Sequence, residues 1–572
     1  MNGSLRDLVR RLPFAGQIAD ARTWVTDTAT MRRLLADVRR TRCDAAFARA
    51  LPRPHEDAPL ALVLSMTNST YGAKLECMLS LALRLRGWRV QVLTSNLYTN
   101  ANRVFAAYGI EEMLPYETLV DAGHDEAAIR AEVTRRASEC MHFQSVMAWT
   151  YHDAWIGPQM LSSVSRQKFD GAPDPRDPGV RAALLQQLPV TLGFVHAAER
   201  QLAAARPDLI LVNEPNFHVL GPFVDVAIAR GIPAIHFIQP SRDDALVFKR
   251  LTKSTRRIHP NSVSEETLER LVSAPWTDAQ EAVLDFEFRQ RYGGAWNVQA
   301  RNQPSVVAMT REEIGRTLGL DSEKPTAVLF SHVLWDANLF YGKDLFENYG
   351  HWFVESVKAA AANPRVNWLI KLHPANLWKR KLSGVTSEYG EMALIREHVG
   401  KLPAHVHVLP PDTPISTLSL FRMIDAGITV RGSIGYELPC FGVPVVTAGT
   451  GRYSGFRFTL DHASVEDYLA TLARLETLPR LSAEATRRAK VHAYALFACR
   501  PWLYASFRSE FASDPTDPLF QNLYPTVRSQ LEIKRNGDLD AFADWATGSD
   551  NVDYLASVPS DAGAMAPLQQ QE

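Results

Sequence analysis

The chain has 572 residues, enough for about two to four domains, and its 46% hydrophobic content supplies sizeable cores. A formal net charge of −1 leaves no global positive field for nucleic acid, and no array of basic and aromatic residues suits a single strand. No run of about 18 to 20 apolar residues occurs, and the five cysteines (Cys43, Cys77, Cys140, Cys440, Cys499) form no CxxC pair, the pattern of a reduced, cytoplasmic protein without structural zinc.

Residues 1–56 read as a helical extension, in which MRRLLADVRR carries apolar residues at helical spacing. The segment from Leu5 to Ile18 reads as a short basic helix, either solvated or lying on a membrane surface, and lacks the long apolar core and cleavage site of a signal peptide. After the connector ALPRPHEDAP, residues 60–64 form the first buried strand. A polar loop over 65–72, a helix over 73–85 and a strand over 87–94 follow, a βαβ unit closed by a right-handed crossover. Asn68, Ser69 and Tyr71 of that loop are candidates either to contact a ligand in a cleft or to cap the helix. A helical pattern runs from 117 to 206, with His142, Trp149, His152 and Trp155 read as core residues at helical spacing, the alternative being the lining of an acceptor groove. The strand in 208–216 then delivers Asn213 and Glu214 to its carboxyl end, where open α/β sheets bind ligands. A strand over 233–238, bearing His236, completes a first α/β domain over 57–240.

Residues 241–320 show no regular pattern and read as a connecting segment, with the basic run 249–257 a solvated face or an attractor of anions. A second α/β domain spans 321–480. Its strand over 327–331 leads into a loop with Trp335 and Asp336, and a strand over 366–372 ends in Lys371, His373 and Pro374. After a strand over 406–409 comes the stretch DAGITVRGSIGYELPCFGVPVVTAGTGRYSGFRFT, from Asp425 to Thr459. It reads as a strand, a small-residue turn (Arg431, Gly432, Ser433, Gly435), a helix ended by Gly442, and a second strand opened by Pro444. A strand-to-helix turn of this kind suits phosphate, because the first helical N–H groups and the helix dipole face it. Arg431 adds a fixed positive charge, and Glu437, one turn into the helix, is placed to reach a sugar hydroxyl. Helices are expected to continue to about 511 within a C-terminal extension over 481–534, and one is expected to cross back to the first domain. Residues 535–572, polar and poor in periodicity, read as a flexible tail.

The run Arg431, Ser433, Glu437, Gly442, Pro444, Gly449, Tyr453, Gly455 and Thr459 resembles the donor-binding half of nucleotide-sugar glycosyltransferases. More narrowly, GYELPCFGVPVVTAGTGRYSGFRFT is similar to the corresponding segment of the capsule polysaccharide biosynthesis family, which includes Kdo transferases. Trp335-Asp336-Ala337 and the Lys-x-His-Pro of Lys371, His373 and Pro374 add to the resemblance. It covers about 330–468, whereas residues 1–325 match only in architecture. It implies an α/β fold with two Rossmann-like domains facing a cleft (GT-B-like), flanked by helical N- and C-terminal extensions. It further implies that His373 contacts the nucleotide phosphate, with Lys371, Pro374, Arg431, Gly432, Ser433 and Glu437 around the donor. No Asp-x-Asp occurs at the motif-bearing strand ends, which fits metal-independent transfer without a cofactor. Asp336 would orient the ligand or His373.

The implied function is transfer of a sugar from a nucleotide-sugar donor, CMP-Kdo among the candidates, to a glycan or glycolipid acceptor of a bacterial surface polysaccharide. The setting is the cytoplasm, with peripheral attachment to the membrane's inner face as an option. An inverting transfer needs a base for the acceptor hydroxyl; Glu214 is the first candidate, with His236 and the pair Asp243 and Asp244 as rivals. A nucleotide-sugar 2-epimerase and a non-catalytic scaffold of a polysaccharide export system are the alternatives.

Overall fold

The computed structural model describes residues 15–121, 125–336 and 339–556. Most of the basic segment from Leu5, the loop residues Ala337 and Asn338, and residues 557–572 of the tail lie outside them. Two sheets organise the chain, because short apolar runs alternate with amphipathic helices. In the first, β1 (Leu60–Leu64), β2 (Arg89–Thr94), β3 (Met113–Pro115), β4 (Leu209–Val212) and β5 (Ala234–Ile238) run parallel in the order β3-β2-β1-β4-β5. β6 (Ala245–Leu251) joins β5 antiparallel. Every residue of β1 is buried, and the two-residue period of a strand divides them. Ala61 and Val63 meet the helix Thr70–Arg84 on one face, while Leu62 and Leu64 meet the long helix Pro178–Ala205 on the other.

The second sheet repeats this plan. β7 (Thr326–Phe330), β8 (Asn367–Lys371), β9 (Val406–Leu409), β10 (Ala426–Thr429), β11 (Val445–Thr447) and β12 (Leu460–Asp461) are all parallel, in the order β9-β8-β7-β10-β11-β12. In both sheets the order reverses beside the first strand, between β1 and β4 and between β7 and β10. This is the Rossmann-like arrangement, with a ligand crevice expected at each switch point. The two domains face each other: the rings of Phe169 and Trp335 meet edge to face at 4.5 Å, Gly350 N donates to Gly171 O at 3.1 Å, and Arg257 Nε donates to Phe340 O at 2.9 Å.

Parts of the chain depart from the sequence reading. Residues 241–320 are not a bare connection: β6 extends the first sheet, and the helices Glu265–Ser273 and Asp278–Tyr292 bury Leu268, Leu284 and Phe288 in the second-domain core. Nor is the basic run 249–257 a solvated face. Lys249 and Arg500 converge on Asp553 at 2.8 and 2.9 Å, all buried. Arg250 donates to the carbonyls of Trp545, Ala546 and Ser549, and Arg256 pairs with Asp225 at 2.6 Å. The partner of Lys249 stands 304 residues away in sequence, so no local pattern announces it.

The C-terminal extension is also less helical than expected. The helix Ala483–Tyr494 runs through a π turn to Cys499, after which β13 (Trp502–Leu503) joins β6 antiparallel. A hairpin of β14 (Phe507–Phe511) and β15 (Gln521–Pro525) follows. The chain thus returns to the first domain, where Trp502, Leu523 and Phe542 complete the core. The helix Asp538–Gly548 occupies residues read as flexible tail, burying Leu539, Phe542 and Trp545; three turns are too few for its apolar spacing to stand out in the sequence. The N-terminal helices Ala15–Thr26 and Thr28–Asp44 precede β1. The second is fastened by a buried pair of Asp37 with Lys74 at 2.7 Å. No helix among the described residues is long and apolar enough to cross a membrane.

Candidate functional site

A crevice of about 140 Å³ opens at the second switch point. Its walls include Ser331 and His332 after β7, Lys371 and His373 at the end of β8, and Gly432 and Ser433 after β10. Lys371 is only 5% exposed, and among the described residues its ammonium has no hydrogen-bond or ion-pair partner. Burial alone lowers its pKa to about 8. A buried, unpaired charge is costly in the empty state, and an anion entering the crevice relieves that cost.

His373 is built to donate. Its Nδ1 accepts from Ala375 N at 3.1 Å, which places the ring proton on Nε2. Burial, with Lys379 and Lys371 nearby, pushes its pKa down to about 3, so the ring is neutral. Its own amide donates to Ser331 Oγ at 3.1 Å, and Pro374 starts the helix Ala375–Leu382 beside it. Across the crevice, Gly432 N donates to Thr429 Oγ1 at 3.1 Å, and a Cβ at Gly432 would come within 2.9 Å of that oxygen. A Cβ at Gly435 would strike the Tyr453 ring; Tyr453 OH in turn donates to Gly432 O at 2.8 Å and fixes the turn. His332, not singled out from the sequence, ties the two sides together. Its Nε2 lies 3.1 Å from Thr429 Oγ1 and accepts from Val430 N at 3.3 Å.

Other residues assigned to the donor from the sequence lie elsewhere. Arg431 is buried and does not line the crevice: it pairs with Asp344 and lies over the Tyr349 ring. Burial raises Asp344 to about 6 despite the arginine. Glu437 is fully buried, accepts a hydrogen bond from Tyr292 and pairs with Arg291 at 3.1 Å. The helix Ile434–Glu437 has a single turn before the 3-10 turn Leu438–Phe441, and this rotates Glu437 into the core instead of toward a sugar. It acts on the crevice indirectly, holding Arg291 and Tyr292, which do line it. Asp336 pairs with Lys379, not with His373; burial raises its pKa, but Lys379 outweighs this and the net shift is downward.

The first switch point holds a larger cavity, about 890 Å³. Ser69 and Tyr71 after β1, and Asn213 and Glu214 after β4, stand on its rim. Ser69 also caps the helix Thr70–Arg84, accepting from Gly72 N at 3.3 Å, and Tyr71 OH accepts from Gln521 Nε2 at 3.1 Å. Asn68 is spent on capping, since its side-chain oxygen accepts from Asn100 N at 2.9 Å. Glu214 has a side chain 55% exposed, with Arg166 at 3.7 Å. The protein packed around the cavity rim raises its pKa in spite of that exposure; Arg166 opposes the shift and Asp336 of the facing domain adds to it. His236 turns inward, with Nε2 2.7 Å from Asn213 O, and burial pushes it to about 3. Asp243 accepts from the amides of Asn297 and Val298 at 2.8 Å, and Asp244 pairs with Arg242 at 3.0 Å. Neither aspartate lines the cavity.

One feature of the cavity went unread in the sequence. Glu76 lies on it, 3% exposed, with one carboxylate oxygen unpartnered among the described residues. Burial raises it to about 8, so it is a neutral acid at pH 7. A lone carboxylate inside the apolar run LECMLSLAL is the signal that would have flagged it. The two cavities share a wall: Arg301 faces the first, while its neighbours Gln299, Asn302 and Gln303 face the second.

No protein-family model matches the sequence, and no curated protein does. Among solved structures, KpsC of Thermosulfurimonas dismutans, a beta Kdo 2,4 transferase, is 12% identical over 54% of this chain and 84% of its own, with a TM-score of 0.29. UDP-GlcNAc 2-epimerase of Neisseria meningitidis bound to UDP-GlcNAc is 10% identical over 76% of this chain and 97% of its own, at 0.25. The glycosyltransferase SnogD of Streptomyces nogalater is 13% identical over 77% and 96%, at 0.23. The fold assignment rests on the two strand orders, not on these distant likenesses.

Proposed function

We propose that the protein is a metal-independent glycosyltransferase that holds the phosphate of a nucleotide-sugar in the second-domain crevice and the acceptor in the first-domain cavity. The observation that carries the reading is the buried Lys371 ammonium, unpaired among the described residues, at a Rossmann-type switch point whose walls also carry His373 and Ser433. When the glycosidic bond to phosphate breaks, negative charge grows on the leaving oxygens, and fixed donors there lower the barrier more than they tighten the ground state. Glu214, facing the other domain with a raised pKa, is the base that takes the proton of the acceptor hydroxyl as it attacks the anomeric carbon. The sequence resemblance favours a CMP-linked acidic sugar such as CMP-Kdo as donor. A glycan or glycolipid of a bacterial surface polysaccharide is the acceptor class.

The test is a calorimetric screen of the purified chain against CMP, UDP, GDP and dTDP, with magnesium and with a chelator. A selective response to CMP that survives the chelator supports the proposal. Binding confined to UDP together with interconversion of UDP-linked hexosamines would replace it by the epimerase reading. No nucleotide binding at all would leave a scaffold.

A further inference from the structure

We propose that His152, His196 and Glu199 form a divalent-metal site, of zinc type by its ligands, on the first domain and outside both cavities. The ligand atoms of the three side chains all lie within 4.8 Å of one another. His152 Nδ1 is 2.7 Å from Glu199 Oε1, and His196 Nδ1 is 3.7 Å from Glu199 Oε2. Zinc binds imidazole nitrogen and carboxylate oxygen at about 2.0 to 2.2 Å, which sets neighbouring ligands roughly 3.3 Å apart, between the two separations seen here. Two imidazoles and a carboxylate, with a fourth position for solvent, suit zinc by softness and number.

The surroundings orient these ligands as a metal site requires. The Nε2 of His196 lies 2.9 Å from Tyr151 OH, a contact that orients the ring with Nδ1 on the side of Glu199. His196 and Glu199 are one turn apart on the helix Pro178–Ala205 and so share a face. His152 comes from a tight turn closed by the bridge between Tyr151 and Ala154. Its backbone is left-handed, with φ 47°, a conformation uncommon outside glycine, and its ring stacks on Tyr151 at 4.2 Å. The cysteine pattern excludes only thiolate sites, so this set is compatible with it. A metal here would tie the turn to the long helix. That turn leads directly into the helix Ile156–Lys168, whose Ser163 and Arg166 line the first-domain cavity, so the ion would brace one wall of that cavity.

The test is a zinc titration of the chelator-treated full chain by calorimetry, with cobalt(II) absorption as a second readout. The wild type is expected to take up about one equivalent that Glu199→Gln and His152→Ala both lose, and Tyr151→Phe should bind about tenfold more weakly. Cys43→Ser, which removes the exposed thiol, should keep the full stoichiometry, and far-UV circular dichroism should be unchanged throughout. Absence of uptake by the wild type, or equal uptake by the wild type and both ligand variants, would overturn the site.

Discussion

The two switch points share one strand order but are furnished for different tasks. At the second, the crevice is narrow and its chemistry is donating: an ammonium without a partner among the described residues, a neutral imidazole N–H and a hydroxyl. At the first, the cavity is some six times larger by the two volumes, and beside the cations Arg166 and Arg301 it carries two carboxyls with raised pKa, Glu214 at the rim and Glu76 on the wall. The topology supplies the place of a site, while the side chains at the strand ends decide whether it receives an anion or handles a proton.

This contrast can be broken at either end. Glu214→Gln should lower turnover by about 10² to 10⁴ while nucleotide affinity stays unchanged in calorimetry; a parallel loss of affinity would assign Glu214 to the donor side. Arg431→Ala, which strips Asp344 of its paired cation, should destabilise the protein by about 3 kcal/mol in denaturant unfolding. Nucleotide affinity of the folded fraction should stay near wild type, because Arg431 does not line the crevice. The smallest effect is on pH. Lys371 has a pKa near 8 in the empty protein, and the ammonium is the form that binds an anion. Nucleotide affinity should therefore be full below that value and fall as pH rises through it, by about tenfold between roughly pH 7 and 9. A flat profile would remove Lys371 from the anion site.

The sequence is legible where strands are short, apolar and followed by small residues. β1, β4, β5, β7, β8 and β10 stand close to their expected places, and the turn at Gly432 and Ser433 lies on the crevice as its composition suggests. It is less legible where a residue's partner is remote. Arg431 and Glu437 sit in the right motif, yet their side chains are claimed by Asp344 and by Arg291 with Tyr292, so their orientation is a tertiary fact. The same holds for Lys249 and Arg500, whose shared partner Asp553 lies in a stretch too short and polar to read as ordered. β6 hides in the basic run for that reason. Asn68 and His236 show the remaining ambiguity: a polar residue at a strand end serves a cap or a backbone carbonyl as readily as a ligand.

The role of Lys371 in anion binding is tested most directly by isothermal calorimetry of CMP, with chelator present, against the wild type and Lys371→Met, a substitution that keeps length and apolar packing while removing the charge. The wild type is expected to bind without metal, and the folded variant to bind about 10- to 100-fold more weakly, the worth of one charge-assisted contact. Equal affinity in the two proteins would contradict that role and move the nucleotide away from the crevice at the end of β8.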